Sequence, residues 1–424
     1  MMGTILILFL VVMFLINIPL SVSIAGSSII AIAVSGKFPL LMVVQRMVNA
    51  VDSFPLMAVP LFMLAGALMD SGGISRRIVN FADSLVGWLS GGLAAVSVVA
   101  SMFFAGISGS AAADTAAVGA LLIPAMKEKG YKSEFAAAVQ AAGGSIGVII
   151  PPSIPMIIYG FITGTSIVKL FAGGILAGIL IGFSLIAVSV GVSKKNGYGN
   201  DVKFTFRNIW KTFKEAVWAL GATVIILGGI LGGIFTATEA AAVAVVYGFL
   251  VGKFVYKELK LGDIPKLMLD SAVLASIILF IISSASIFGW ILTMENIPQL
   301  IGNFIVNVTG NKVVLLLLIN AMLLIAGTFM ETTVSLILLV PIIMPILPVI
   351  GMDPIQMGVV VVTNLAIGML TPPLGICLIV SAGISKDSIA GVSKAVLPFL
   401  LMTIIDLLIL TFWPPVTTFL PGLL

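Results

Sequence analysis

The chain has 424 residues, is 60% hydrophobic and 9% charged, and carries a formal net charge of +4. Soluble domains carry about 25% charged residues, so the composition is that of an all-α polytopic membrane protein, and no nucleic-acid partner is expected. With no histidine and Cys377 as the single cysteine, disulfide frameworks, zinc sites, Cys/His catalysis and Ser-His-Asp triads are excluded.

Spans need about 20 apolar residues. In chain order they are expected at 3–18, 20–36, 55–70, 134–165, 167–193, 216–235, 238–252, 267–291, 355–385 and 392–412. The N-terminus is apolar at once, with no basic n-region or small-residue cleavage site, and reads as a retained first span. The apolar stretches 88–126 and 311–350 are too long for one crossing. Each is interrupted in its middle, by GISGSAAADT (106–115) and by GTFMETT (327–333), and each reads as a re-entrant hairpin. The segment 203–217 spaces Phe206, Ile209, Trp210, Phe213 and Val217 helically around Arg207, Lys211 and Lys214. It is expected to lie in the membrane interface. Glu239, after TATE, reads as a charge at a helix start.

Basic residues set the orientation. The loops 194–214 (Lys194, Lys195, Lys203, Arg207, Lys211, Lys214) and 253–266 (Lys253, Lys257, Lys260, Lys266) are separated by two spans, so both are cytoplasmic. Counting back places Lys127, Lys129 and Lys132 inside, and Arg76 and Arg77 join them if 88–126 is a hairpin. Counting forward leaves 292–312 outside, then returns to Lys386 and Lys394 inside. The first hairpin therefore opens to the cytoplasm and the second opens outward.

An offset of 221 aligns Ala105 with Ala326, Gly106 with Gly327, Pro124 with Pro345, Gly147 with Gly368, and Pro151-Pro152 with Pro372-Pro373. An offset of 223 aligns Gly66 with Gly289, Ile74 with Ile297, Ile78 with Ile301, Asn80-Phe81 with Asn303-Phe304, and Gly87 with Gly310. The copies lie on opposite sides by charge, so they are inverted repeats. The chain divides into N-terminal scaffold spans (1–54), a first repeat (55–195; hairpin 88–126, broken helix 134–165) and a basic interfacial segment with scaffold spans (196–275). A second repeat (276–415; hairpin 311–350, broken helix 355–385) and a C-terminal tail (416–424) follow.

The stretch GGSIGVIIPPS (143–153) sits where a membrane helix would run unbroken, yet two prolines forbid it. Freed backbone at membrane depth is tolerated only where it is buried in protein or lines a cavity. Corresponding interruptions in two inverted halves mark the binding site of a secondary transporter. Helix-end carbonyls with hydroxyls suit a small hard cation, and helix-start N–H groups suit a carboxylate. The first half offers Ser108 and Ser110 at the tip, carbonyls near Gly144, Gly147 and Ile150, and the hydroxyls of Ser145 and Ser153. The second offers Gly327, Thr332, carbonyls near Leu365 and Gly368, Thr371, and Asn364 a turn earlier. Glu331, opposite Ser110 in the repeat, is a carboxylate at membrane depth and so a functional candidate, although a local cap of the following half-helix would also explain it. Asp114 has the same two readings. Asp406 stands alone in the last span with no evident role. No histidine, GxSxG or paired aspartates support an intramembrane enzyme.

At GISGSAAADTAAVGALLIPAM (106–126), PPSIPMIIYG (151–160), GTFMETTVSLILLVPIIMP (327–345) and NLAIGMLTPPLG (364–375), the sequence resembles the large membrane subunit of TRAP transporters, the DctM family. The resemblance covers nearly the whole chain. It implies the ion-transporter superfamily fold, an elevator mechanism, and sodium-coupled import of small organic acids across the bacterial inner membrane. It also implies a separate small four-helix membrane subunit and an extracytoplasmic substrate-binding protein. Sodium is the implied coupling ion, with no other cofactor. Sodium sites fall at Ser108, Ser110, Gly144, Gly147 and Ile150, and at Gly327, Thr332, Leu365, Gly368 and Thr371. Substrate contacts fall among Ser108, Ser110, Ser145, Ser153, Glu331 and Asn364. Sialic acid and C4-dicarboxylates are the implied substrates, with a leaning to sialic acid. A stand-alone sodium- or proton-coupled dicarboxylate or citrate symporter of related fold is the rival reading.

Overall fold

The computed structural model describes residues 2–16, 18–199, 204–297, 299–300 and 311–424. Lys203, and the repeat partners Ile301, Asn303, Phe304 and Gly310, lie outside the described residues. Those described form helices and connections, with no strand among them.

Two short apolar helices open the chain, α1 (Met2–Leu15) and α2 (Leu20–Ser35). At 1.5 Å per residue they are about 21 and 24 Å long, shorter than the full crossings expected for 3–18 and 20–36. Pro19 between them lacks the N–H that a continuous helix would need. Next come α3 (Leu41–Val51), α4 (Ala58–Ser71) and α5 (Ile74–Val86). Neither α3, with 11 residues, nor α5, with 13, is long enough for a full crossing, and both are amphipathic. In α5, Ile74, Ile78, Phe81 and Ala82 are buried while Arg76 and Asn80 face out, the 3.6-residue pattern of an interfacial helix.

The first hairpin is α6 (Gly92–Ser108) and α7 (Ala111–Glu128). The broken helix that follows is α8 (Ser133–Ser145) and α9 (Ile154–Thr163), and α10 (Ile167–Asn196) completes the half. The amphipathic segment is helical from Phe206 onward. It runs without interruption into the next span as α11 (Phe206–Leu231). No proline or turn motif interrupts FRNIWKTFKEAVWALGATVIILGGIL, so the basic turns simply continue into the apolar ones. Then come α12 (Ala237–Leu250) and α13 (Ile264–Met294). The start of α12 is a capping box: Thr236 N–H donates to Glu239 Oε2 at 2.8 Å, and Glu239 N–H donates to Thr236 Oγ1 at 3.3 Å. Glu239 is thus the helix-start charge its position suggested.

The second hairpin is α14 (Lys312–Phe329) and α15 (Thr332–Ile343). Its broken helix is α16 (Pro354–Gly368) and α17 (Ile376–Ser385), followed by α18 (Ile389–Phe412). Residues assigned to a C-terminal tail form α19 (Pro415–Gly422), which packs on α10.

The halves are interlocked. Each hairpin packs on the first part of its own broken helix, α7 on α8 and α14 on α16. The second part crosses over: α17 packs on α7 and α8, and α9 packs on α15 and α16. The scaffold repeats the exchange, with α4 against α12 and α13 against α2. Among the described residues, seven helices are long and apolar enough to cross a membrane. Their outward faces carry Val224, Leu269 and Ile325, all more than 60% exposed, as a lipid-facing surface requires.

Candidate functional site

Both hairpin tips are tight turns at the predicted register. In the first, α6 ends at Ser108, Gly109 takes a left-handed φ of 64°, and Ser110 caps α7, its Oγ accepting from Ala113 N–H. In the second, Glu331 caps α15. Ser110 and Glu331 are 221 positions apart, so the repeat holds residue by residue at the tips.

Each tip is seated on the break of its own broken helix. Ile154 N–H donates to Gly109 O at 3.4 Å, and Leu374 N–H donates to Thr328 O at 3.1 Å. Both Pro-Pro bonds, Pro151-Pro152 and Pro372-Pro373, are cis. Glycine permits the close approach. A Cβ on Gly147 would lie 2.2 Å from Asp114 Oδ2, and one on Gly144 would lie 2.0 Å from Thr115 Oγ1. In the second half, a Cβ on Gly368 would lie 2.5 Å from Gly327 Cα. A side chain at Gly368 would push the tip off its break, and one at Gly147 would displace the Asp114 carboxylate.

The first half brings Ser108, Ser110 and Gly147 together, and adds Asp114. Ser108 Oγ donates to Asp114 Oδ1 and accepts from Ser110 N–H at 3.1 Å. Asp114 is fully buried, and among the described residues its Oδ2 has no hydrogen-bond partner. Asp114 does not cap its own helix, as one reading allowed, but joins tip to break. Its backbone carbonyl accepts from Gln140 Nε2 at 3.3 Å, and Gln140 in turn meets Ser97 and Ser101. That polar cluster is a feature the sequence reading missed, although the four-residue spacing of Ser97 and Ser101 puts both on one helix face. Ser145 and Ser153 are committed to backbone: Ser145 Oγ donates to Ala142 O at 2.8 Å, while Ser153 Oγ donates to Val148 O at 2.5 Å and caps α9. The Ile149 carbonyl lies beside Gly174 of α10, and Ile150 packs against Gly178.

In the second half Glu331 is engaged by its own helix. Its Oε2 accepts from the N–H groups of Thr333 at 2.8 Å and Val334 at 3.4 Å, and its Oε1 accepts from Thr333 Oγ1 at 3.1 Å. Thr371 Oγ1 donates to Ile367 O. Thr332 is buried, and among the described residues its Oγ1 has no partner; the same holds for Ser335 and Thr363. Asn364 donates to Asn320 Oδ1 at 2.9 Å, and Asn320 donates to Thr411 at 3.0 Å; among the described residues Asn364 Oδ1 has no partner. Sequence reading missed Ser335, Thr363 and Asn320, because hydroxyls and amides within unbroken helices look like ordinary back-bonding residues.

Two inverted hairpins seated on two broken helices define a transporter permease and not an enzyme. The profile of the family described as "Tripartite ATP-independent periplasmic transporter, DctM component" matches residues 6–416. The chain is 35% identical over 429 residues to a C4-dicarboxylate TRAP transporter large permease protein of Rhodobacter capsulatus, covering 98% of each. It is 40% identical over 379 residues to a sialic acid TRAP transporter large permease protein of Vibrio cholerae, covering 89% of each. It is 44% identical over 419 residues to an isethionate TRAP transporter permease protein of Oleidesulfovibrio alaskensis, covering 98% of this chain but 65% of that longer relative. In fold it is similar to the Alcanivorax borkumensis YdaH transporter, with a TM-score of 0.62 at 16% identity over 88% of each chain.

The chain belongs to the DctM family, the large permease component of tripartite ATP-independent transporters. It is a multi-pass protein of the inner membrane with the elevator-type fold.

Proposed function

We propose that this chain is the permease subunit for sodium-coupled import of a small organic acid, working with a separate small four-helix membrane subunit and an extracytoplasmic binding protein. The observation that carries the reading is the seating of each tip on its break through close glycine contacts, Gly147 against the Asp114 carboxylate and Gly368 against the Gly327 backbone. Such a joint gathers helix-end carbonyls and hydroxyls at membrane depth, which suits a hard cation.

Sodium would bind among Ser108, Ser110 and the carbonyls of 144–150 in one half, and among Gly327, Thr332 and the carbonyls of 365–371 in the other. Bound sodium would hold the tip down and complete the site for the acid, so substrate affinity rises with sodium. Ser108, Ser110 and Asn364 are proposed to meet the substrate. Ser145, Ser153 and Glu331 would act through the helix ends they cap or brace. The interlocked hairpins and broken helices would move as one body against the scaffold, the elevator step.

The relatives' names give three probe anions: sialic acid, succinate as a C4-dicarboxylate, and isethionate. The test is uptake of these by proteoliposomes holding both membrane subunits, with the binding protein outside. An inward sodium gradient should drive accumulation of at least one. Equal uptake with potassium in place of sodium would overturn the reading.

A further inference from the structure

An anion approaching this site needs a cation to attract it, and no basic residue lies at either tip. One lies nearby. Between the scaffold and the moving helices runs a cleft of two adjoining cavities, about 400 and 530 Å³, which share Ala50 and Ser286 in their walls. Helices α3 and α13 form one wall, and α9 and α15 the other. The loop charges place all four stretches in the outer half of the membrane: α3 precedes the inward crossing of α4, α13 ends outside, α9 ends outside, and α15 closes the outward-opening hairpin. That topology used no contacts, yet the four meet.

Among the described residues, Arg46 is the single charged side chain lining either cavity. Its guanidinium stacks on Trp290, 4.5 Å from the ring centroid. Its Nε is buried, and among the described residues that atom has no hydrogen-bond partner. Gln45 and Asn49 stand beside it in the same wall. Stacking fixes the plane of the guanidinium and leaves its edge for a bidentate acceptor. A carboxylate or sulfonate fits that fork, and the cavity volumes lie within the range of small-molecule sites.

We propose that this cleft is the outer vestibule of the transport path, and that Arg46, with Gln45 and Asn49, binds the acid group of the substrate on its way to the tips. The proposal rests on the functional reading above. It gives the chain the positive charge its broken helices lack. A lipid phosphate has the same chemistry as the substrate's acid group, so the test separates the two.

Uptake of sialic acid, succinate and isethionate is measured with the complete system, for wild type, Arg46→Gln and Arg46→Lys. Vesicles are made once with phosphatidylcholine alone and once with added phosphatidylglycerol. The concentration of loaded binding protein at half-maximal uptake should rise about tenfold or more in Arg46→Gln, as expected for loss of a charge-assisted contact. Arg46→Lys should recover part of it, and the sodium concentration for half-maximal uptake should not change. Wild-type kinetics in Arg46→Gln, or a loss confined to vesicles with phosphatidylglycerol, would overturn the vestibule. A shift in sodium dependence, or loss of assembly with the small subunit in both variants, would reduce Arg46 to a structural role and overturn it too. Failure of wild type to show sodium-driven uptake would instead contradict the functional reading.

Discussion

Gly368→Ala should weaken the second cation site while leaving the first intact. A Cβ there would lie 2.5 Å from both Cα and C of Gly327 and 2.7 Å from its carbonyl oxygen. Carbon atoms in contact prefer about 3.5–4.0 Å, so the tip must retreat by about 1 Å. The obstacle is backbone at the end of α14, which cannot swing aside as a side chain would. Overpacking of this kind costs about 1–3 kcal/mol, a factor of about 5 to 150 in an equilibrium. The cost falls on the seated tip, the form that would bind sodium. The sodium concentration for half-maximal uptake should therefore rise by up to that factor, and saturating sodium should restore the rate. Gly191→Ala, at a glycine with nothing within 4 Å, is the matched control. The assay is uptake into proteoliposomes at graded sodium under a constant membrane potential. A Gly368→Ala protein with wild-type sodium dependence would refute the claim that tip and break together form the site.

Gly147→Ala should do the same to the first half, because its Cβ would meet the Asp114 carboxylate; a sodium titration of uptake reads it. Ser108→Ala leaves the buried Asp114 and the Ser110 N–H each short of a partner, a loss of about 1–3 kcal/mol visible as a lower melting temperature and weaker uptake at low sodium. Glu331→Gln keeps an oxygen to cap α15, so sodium-driven uptake should persist, whereas Glu331→Ala should lose about 1 kcal/mol of stability. Asn364→Leu breaks the Asn364–Asn320–Thr411 chain and should cost about 1–3 kcal/mol in a thermal melt.

Much of the architecture was legible in the sequence because it is written in backbone breakers. Prolines at 151–152 and 372–373, and glycines at 147 and 368, act through covalent geometry, which a sequence states outright. The hairpins were legible for a related reason: an apolar run too long for one span, with GISGS or GTFMETT in its middle, has to turn. Elements of mixed character were harder. Helices α3 and α5 are too polar to read as spans and too apolar to read as loops. The start of α11 reads as a segment distinct from the span it joins, because charge changes there while helix propensity does not. At the site, residue type alone did not tell a ligand from a brace. Ser145, Ser153 and Glu331 carry suitable atoms, yet the fold turns them onto nearby backbone. Asp114 had two readings, cap or functional carboxylate, and the fold sets its carboxylate against Ser108 and beside Gly147. Arg46 carried no signal at all, since only the meeting of α3 with α13 makes it the wall of a cleft.

Equilibrium binding of radioactive sodium to the purified permease, with no substrate present, addresses the paired sites most directly. Wild type should bind two sodium ions per chain saturably, Gly147→Ala and Gly368→Ala one each in the low-concentration range, and potassium should not compete. No saturable binding, or two undiminished sites in both variants, would contradict the assignment of sodium to the two seated tips.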